Sequence, residues 1–201
     1  VSVLIAGGVA FTYLRYTIPV YEATATLIIK DDKKGNEESK LVESLDQISS
    51  KKIVENEVEI IQSRKLMENV VRSLGLYAQI YEAGDVHSGL AYTKSPITII
   101  ALHPDSLNLS NEIKLNYDIN SHLVTLNHLY KYAIDTIVST PFGKLKFIPN
   151  KYYFKPDNPT KQLYFTLSDA KSVVPSFLDD LKAEPASKLS SIVDLSYRDV
   201  D

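Results

Sequence analysis

The chain has 201 residues, 22 basic and 25 acidic side chains, a formal charge of -3 and no cysteine. That length holds one sizeable core, or one domain with an appendage. Mixed charge without a long basic run leaves no footprint for nucleic acid. The missing thiols exclude a disulfide scaffold, a thiolate metal site and a cysteine nucleophile.

Val1 to Leu14 carries no charge, and Arg15 is the first ionised side chain. As a helix it extends about 21 Å, short of the roughly 30 Å hydrocarbon core of a bilayer. A piece of a membrane helix, a signal-peptide core and a buried core helix all fit that length. No basic region precedes the run, and Tyr13, Arg15 and Tyr16 suit a membrane interface better than a cleavage site. Tyr21 to Lys30 is rich in Thr, Ile and Ala and reads as a strand. Asp31 to Lys40 is a charged, solvent-facing turn or loop, and Leu41 to Ile48 is a short helix with Leu41, Leu45 and Ile48 on one side.

The strongest pattern runs from Ser49 to Leu76. Val54, Val58, Ile61, Met67, Val70, Val71 and Leu74 follow the 3.6-residue repeat, and charged residues fill much of the rest, so the spacing predicts one amphipathic helix. Ser49 or Ser50 suits its N-cap, and Gly75 sits where a left-handed residue would end it.

Downstream the strands predominate. Tyr77 to Tyr81, Pro96 to Leu102, Leu123 to Leu129, Tyr132 to Val138 and Leu163 to Leu167 read as strands. Ile113 to Ile119 alternates apolar with polar residues, the mark of a strand with one wet face. A Gly-bearing loop separates Tyr81 from Pro96. Ser139 to Lys161, with Pro141, Pro149, Pro156 and Pro159, reads as turns around one short strand near Lys144 to Ile148. Ser168-Asp169 opens a second helix carrying Val173, Val174, Phe177, Leu178 and Leu181 on one side. Pro175 requires that helix to kink or to start later than Ser168. Leu189 to Tyr197 is a final strand. The fold class is α+β: a mixed or antiparallel sheet with two main amphipathic helices packed on it.

Chemistry-bearing motifs are missing. His87, His103, His122 and His128 have no metal-ligand spacing, and neither a phosphate loop nor a dinucleotide fingerprint occurs. No nucleophile elbow or glycosidase pair of carboxylates is recognisable. The chain is therefore not read as an enzyme, and it is assigned no catalytic residue, metal or cofactor. Tyr130 with Tyr132, and Tyr152 with Tyr153, are candidates for a carbohydrate-stacking surface, against the plainer reading of packing within strands.

The run Glu57-Val58-Glu59-Ile60-Ile61-Gln62-Ser63-Arg64-Lys65-Leu66, continuing through Val70-Val71 to Leu74-Gly75-Leu76, resembles a signature of the polysaccharide co-polymerases. These are the Wzz-type chain-length determinants, together with the related outer domain of bacterial capsular tyrosine kinases. Ile18-Pro19-Val20-Tyr21-Glu22-Ala23-Thr24-Ala25-Thr26-Leu27-Ile28-Ile29 resembles that family's exit from its first membrane helix, and Leu195-Ser196-Tyr197-Arg198-Asp199 is a shorter likeness. The resemblance singles out Pro19, Tyr21, Ala23, Glu57, Glu59, Ile60, Ser63, Val70, Leu74, Gly75 and Leu76 as structural signature residues. It implies that residues 1–18 are part of a transmembrane helix touching the lipid bilayer. Residues 19–201 would then be a base domain on the periplasmic or extracellular side of a bacterial inner membrane, truncated before long helices and a second span. It further implies a homo-oligomeric scaffold that sets surface polysaccharide length beside a polymerase and its nascent glycan. A kinase domain, where one exists, would lie beyond Asp201. The alternative is a soluble secreted carbohydrate-binding or hydrolytic domain whose apolar start is a processed signal.

Overall fold

The computed structural model describes residues 2–17, 19–29, 53–84, 87–155, 161–187 and 190–200. The expected caps Ser49 and Ser50, the charged segment from Asp31 to Lys40 and the short helix from Leu41 to Ile48 lie outside those residues. The chain divides into two units. One gathers residues 75–170 with the first 20 residues and the last two; the other is built from residues 21–74 and 171–199.

The chain starts with helix α1 (Ser2–Tyr16), in which no residue is buried. Val3, Leu4, Ile5, Val9, Phe11, Tyr13 and Leu14 are all more than 60% exposed, so its apolar residues lie all round instead of along one stripe. Its 15 residues extend about 23 Å. Among the described residues no helix is long and apolar enough to cross a membrane. The residues expected to form part of a membrane helix thus make a short apolar helix.

In the second unit, β1 (Val20–Ile28) lies beside β12 (Ile192–Val200), which pairs on its other side with β11 (Leu181–Pro185). The β11–β12 pairing is antiparallel. Glu22 meets Arg198, Thr26 meets Asp194, and Ile29 N–H donates to Ser191 O, so β1 also runs antiparallel to β12. Val54, Ala183 and Val193 form the buried centre, with Ile29, Val58, Ile61 and Leu195 packed against it.

The single long helix expected from Ser49 to Leu76 is two helices. Helix α2 covers residues 53–61 and α3 is Arg64–Leu74, with Ser63 between them. Ser63 Oγ accepts the Leu66 N–H at 3.2 Å and its carbonyl accepts the Met67 N–H at 3.1 Å. This is an N-cap, a role that serine fills well. The apolar repeat stays nearly in phase across the break, so periodicity cannot reveal it. Met67 and Val71 are buried as expected, whereas Leu74 is 65% exposed.

Helix α4 (Ala170–Asp179) starts two residues after Ser168, yet Pro175 still lies inside it. A proline there leaves the carbonyl four residues back, that of Lys171, without its helical donor. Arg64 Nη2 donates to that oxygen at 3.3 Å. Leu181, expected to continue the helix, opens β11 instead. Phe177 stacks on Tyr197 with centroids 6.3 Å apart. Burial first, then the carboxylates of Asp199 and Asp180, push the Tyr197 phenol up to about 12.

The first unit holds two antiparallel sheets. Six strands run in the order β3-β2-β10-β5-β6-β7, built from β2 (Ile80–Glu82), β3 (Gly89–Leu90), β5 (Ser110–Asp118), β6 (Leu123–Leu126), β7 (Tyr130–Ala133) and β10 (Leu163–Leu167). Three more, β4 (Ile97–Ala101), β9 (Gly143–Pro149) and β8 (Ile137–Thr140), form the other. Ile113 and Leu115 are buried while Lys114, Asn116 and Asp118 are exposed, as the alternation predicts. Three expected strands came out differently. Leu123 to Leu129 stops as a strand at Leu126, where Asn127 and His128 take φ 49° and 60° and turn the chain. Tyr77 to Tyr81 contributes only its last two residues to β2, and Tyr77 is a buried residue whose Oη accepts the Ala101 N–H at 3.0 Å. Tyr132 to Val138 is not one strand, because Asp135 takes φ 61° and turns the chain between β7 and β8. Tyr132 stacks on Phe147, centroids 6.2 Å apart, and Asp135 N–H donates to Phe147 O at 2.8 Å, joining the two sheets.

Gly75 ends α3 with φ +69°, as its position in the sequence suggested, and a Cβ there would lie 3.4 Å from Ile99 O. A side chain in the left-handed region costs about 1–2 kcal/mol. Gly75→Ala is expected to lower the unfolding free energy by that amount in urea denaturation. An unchanged midpoint would mean that this stop does not depend on glycine.

Candidate functional site

The signature residues do not converge on one site. Pro19, Tyr21 and Ala23 are exposed at the start of β1. Glu57 is half-buried on α2, while Glu59 and Ile60 are exposed. Ser63 caps α3, Val70 and Leu76 are half-buried, Leu74 is exposed and Gly75 makes the left-handed stop. Of these, Ser63 marks a helix break and Gly75 a helix end. His87, His103, His122 and His128 likewise stay separate, and among the described residues no group of three His, Cys, Asp or Glu could hold a metal ion.

The feature that stands apart from folding needs is an aromatic surface on two turns of the first unit. Residues 92–94 turn between β3 and β4, and residues 150–154 follow β9. Buried Ser95 fixes the first turn, its Oγ donating to Ile97 O at 2.7 Å and its N–H donating to Ala91 O at 2.8 Å. Asn150 ties the second turn to the first. Its Nδ2 donates to Tyr92 O at 2.7 Å and Ser95 O at 2.8 Å, and its Oδ1 accepts the Tyr152 N–H at 3.0 Å. Phe154 N–H adds a bond to Thr93 O at 2.8 Å. The first turn is also held to β2, because Lys94 Nζ lies 2.6 Å from Glu82 Oε2, and the Lys161 N–H donates to Glu82 Oε1. The Lys94 hydrogen bond keeps the Glu82 carboxyl below its ordinary range.

This scaffold presents three aromatic rings to solvent. Tyr92 is 65% exposed, Tyr152 51% and Phe154 72%. The Tyr92 and Tyr152 rings stack with centroids 5.3 Å apart and planes 27° from parallel. Lys151 Nζ lies 4.7 Å from the Tyr152 centroid, within cation–π range. Hydrogen bonding to Lys151 holds the Tyr152 phenol below its usual range, while desolvation and the neighbouring Tyr152 raise that of Tyr92. The two phenols of one stack therefore differ in acidity.

Of the tyrosines considered from sequence, Tyr152 lies here, but its partner is Tyr92 and not Tyr153, which is half-buried. Tyr130 and Tyr132 stack at 6.5 Å, and Tyr132 packs onto core Phe147, so this pair serves the sheet. Tyr92 was not legible. It sits in a loop without periodicity, and the two turns meet through the β4–β9 pairing, the Asn150 side chain and the Phe154 N–H bond to Thr93 O.

Residues 1–74 match the family described as Wzz, chain length determinant protein. The matched stretch contains the β1 signature and most of the α2–α3 signature, and covers less than half of the chain. It carries no link to the capsular tyrosine kinases. The aromatic turns lie beyond it. No curated protein matches the chain.

Proposed function

We propose that the chain handles surface polysaccharide by binding and shape, without catalysis. The observation that carries this is the match of residues 1–74 to the chain-length determinants. In its finer form, the chain is a scaffold at a bacterial inner membrane, with residues 19–201 on the periplasmic or extracellular face. It self-associates beside a polymerase and its nascent glycan. Support comes from α1, whose apolar side chains are exposed all round, a composition that suits lipid better than water. Identical subunits closing into a ring would supply a length gauge by geometry alone.

A second reading, a carbohydrate-binding domain with a processed leader, has at least equal structural support. The exposed Tyr92–Tyr152 stack offers the kind of aromatic surface on which sugar rings lie. The hydrolytic version of that reading gains nothing from the described residues.

Deleting the gene from its host and resolving the surface polysaccharide by gel separates these readings. A changed modal length restored by the full gene supports the scaffold. An unchanged length distribution, with glycan bound by the purified chain, supports the binding domain. The absence of both a length change and glycan binding would sink the polysaccharide assignment.

A further inference from the structure

Resting on that polysaccharide assignment, we infer that the paired turns carrying Tyr92, Tyr152 and Phe154 form a subsite for an acidic glycan, a chain bearing carboxylated sugar rings.

Ring geometry supplies the first argument. Exposed aromatic side chains cost solvation, and here three stand within two short turns that Asn150 and Ser95 immobilise through five hydrogen bonds. Because Asn150 fixes the backbone beneath both tyrosines, their stack is present before any ligand arrives. Little ordering entropy then remains to be lost on binding. The apolar C–H faces of pyranose rings suit such a surface, since the ring quadrupole attracts the weakly positive hydrogens of a stacked partner.

Charge supplies the second. The segments Tyr92-Thr93-Lys94-Ser95 and Asn150-Lys151-Tyr152-Tyr153-Phe154-Lys155 contain three lysines and no carboxylate, in a chain whose formal charge is -3. Lys94 is engaged by Glu82 at 2.6 Å, but Lys151 is placed beside the Tyr152 ring at the stack itself. An ammonium beside an aromatic platform selects a sugar that carries an anion close to its apolar face. A neutral glycan would gain only the stacking. A flat lipid headgroup layer would also tolerate Lys, Tyr and Phe, but the Tyr92–Tyr152 stack is a narrow, preformed feature better matched to a single ring.

The test is calorimetric titration of the full chain with an oligogalacturonate and with its carboxyl-reduced counterpart. The acidic oligomer is expected to bind, and the reduced one about threefold or more weakly, the worth of an exposed ion pair. Tyr92→Ala and Tyr152→Ala, both at exposed positions, should each lose about tenfold in affinity while the circular dichroism spectrum stays unchanged. Lys151→Gln should lose about threefold for the acidic oligomer and nothing for the reduced one. Equal binding of both oligomers overturns the acidic specificity. Undiminished binding by the tyrosine variants overturns the site while leaving the polysaccharide assignment intact. If no oligomer binds, yet gene deletion alters polysaccharide length, the inference fails and the assignment stands. Binding to vesicles of equal parts phosphatidylcholine and phosphatidylglycerol that is lost in Tyr92→Ala, without oligomer binding, overturns it in favour of a membrane contact.

Discussion

Phe147→Ala is expected to destabilise the first unit by about 3–5 kcal/mol, the range for emptying an aromatic site in a packed core. Phe147 is fully buried on β9, flanked across the three-stranded sheet by Ile99 and stacked against Tyr132 of β7. Its ring therefore belongs to the contact through which the two sheets of that unit hold together. Its carbonyl, bonded to the Asp135 N–H, fixes the turn that leads from β7 to β8. Truncation leaves a cavity whose walls are strands already locked by ladder hydrogen bonds, so collapse around it is limited. Phe154→Ala is the matched control. The same atoms are removed from a residue 72% exposed, and the change should stay within about 0.5 kcal/mol. Urea midpoints of the two variants would differ widely. Similar midpoints would show that Phe147 is not a keystone of the sheet-to-sheet packing.

Much of this architecture could be read from residue order, and the failures have specific causes. β5 was legible because one face meets the core and the other does not, which imposes alternation on Ile113 and Leu115, and β4 because Ile97, Ile99 and Ile100 are β-branched. Gly75 was legible because the left-handed backbone selects glycine. The break at Ser63 was hidden, since a serine inside an apolar repeat looks like an ordinary polar position until its hydroxyl caps the next helix. β11 was hidden because Leu181 keeps helical spacing with Val174 and Phe177, although the chain turns to pair with β12. Asp135 in a left-handed turn divided what alternation presented as one strand. The aromatic site was half legible. Tyr152 was visible as an aromatic in a turn-rich segment, but Tyr92 is 60 positions away in a loop and joins it through long-range bonds, among them that of Asn150 Nδ2 to Tyr92 O. A long-range side-chain hydrogen bond to a backbone carbonyl leaves no periodic trace.

That hydrogen bond makes Asn150 the most sensitive polar position of the site. Asn150→Asp is expected to cost about 2–4 kcal/mol at neutral pH, more than Asn150→Ala. The alanine variant removes two donated bonds and one accepted bond, and leaves the Tyr92 and Ser95 carbonyls to water or to nothing. The aspartate variant keeps an acceptor for the Tyr152 N–H but places a negative oxygen where the amide Nδ2 stood, 2.7 Å from one carbonyl oxygen and 2.8 Å from another. Three acceptors then face each other without a proton among them. A protonated carboxyl could donate again to one of them, so the folded state favours the neutral acid and raises the folded pKa of the introduced group above the unfolded value of about 3.9. The proton-linked stability is then fully present below about pH 3.9 and is lost as pH rises through the raised folded value. The difference in stability between Asn150→Asp and Asn150→Ala should accordingly narrow or reverse in acid, while the difference between Asn150→Ala and the native chain stays nearly flat. Glycan binding should follow the same order at neutral pH, since the tyrosines lose the clamp that sets their stack. A pH-independent gap between the two variants would show that the carboxylate had rotated into solvent, and that the turns do not rely on the Asn150 amide for their union.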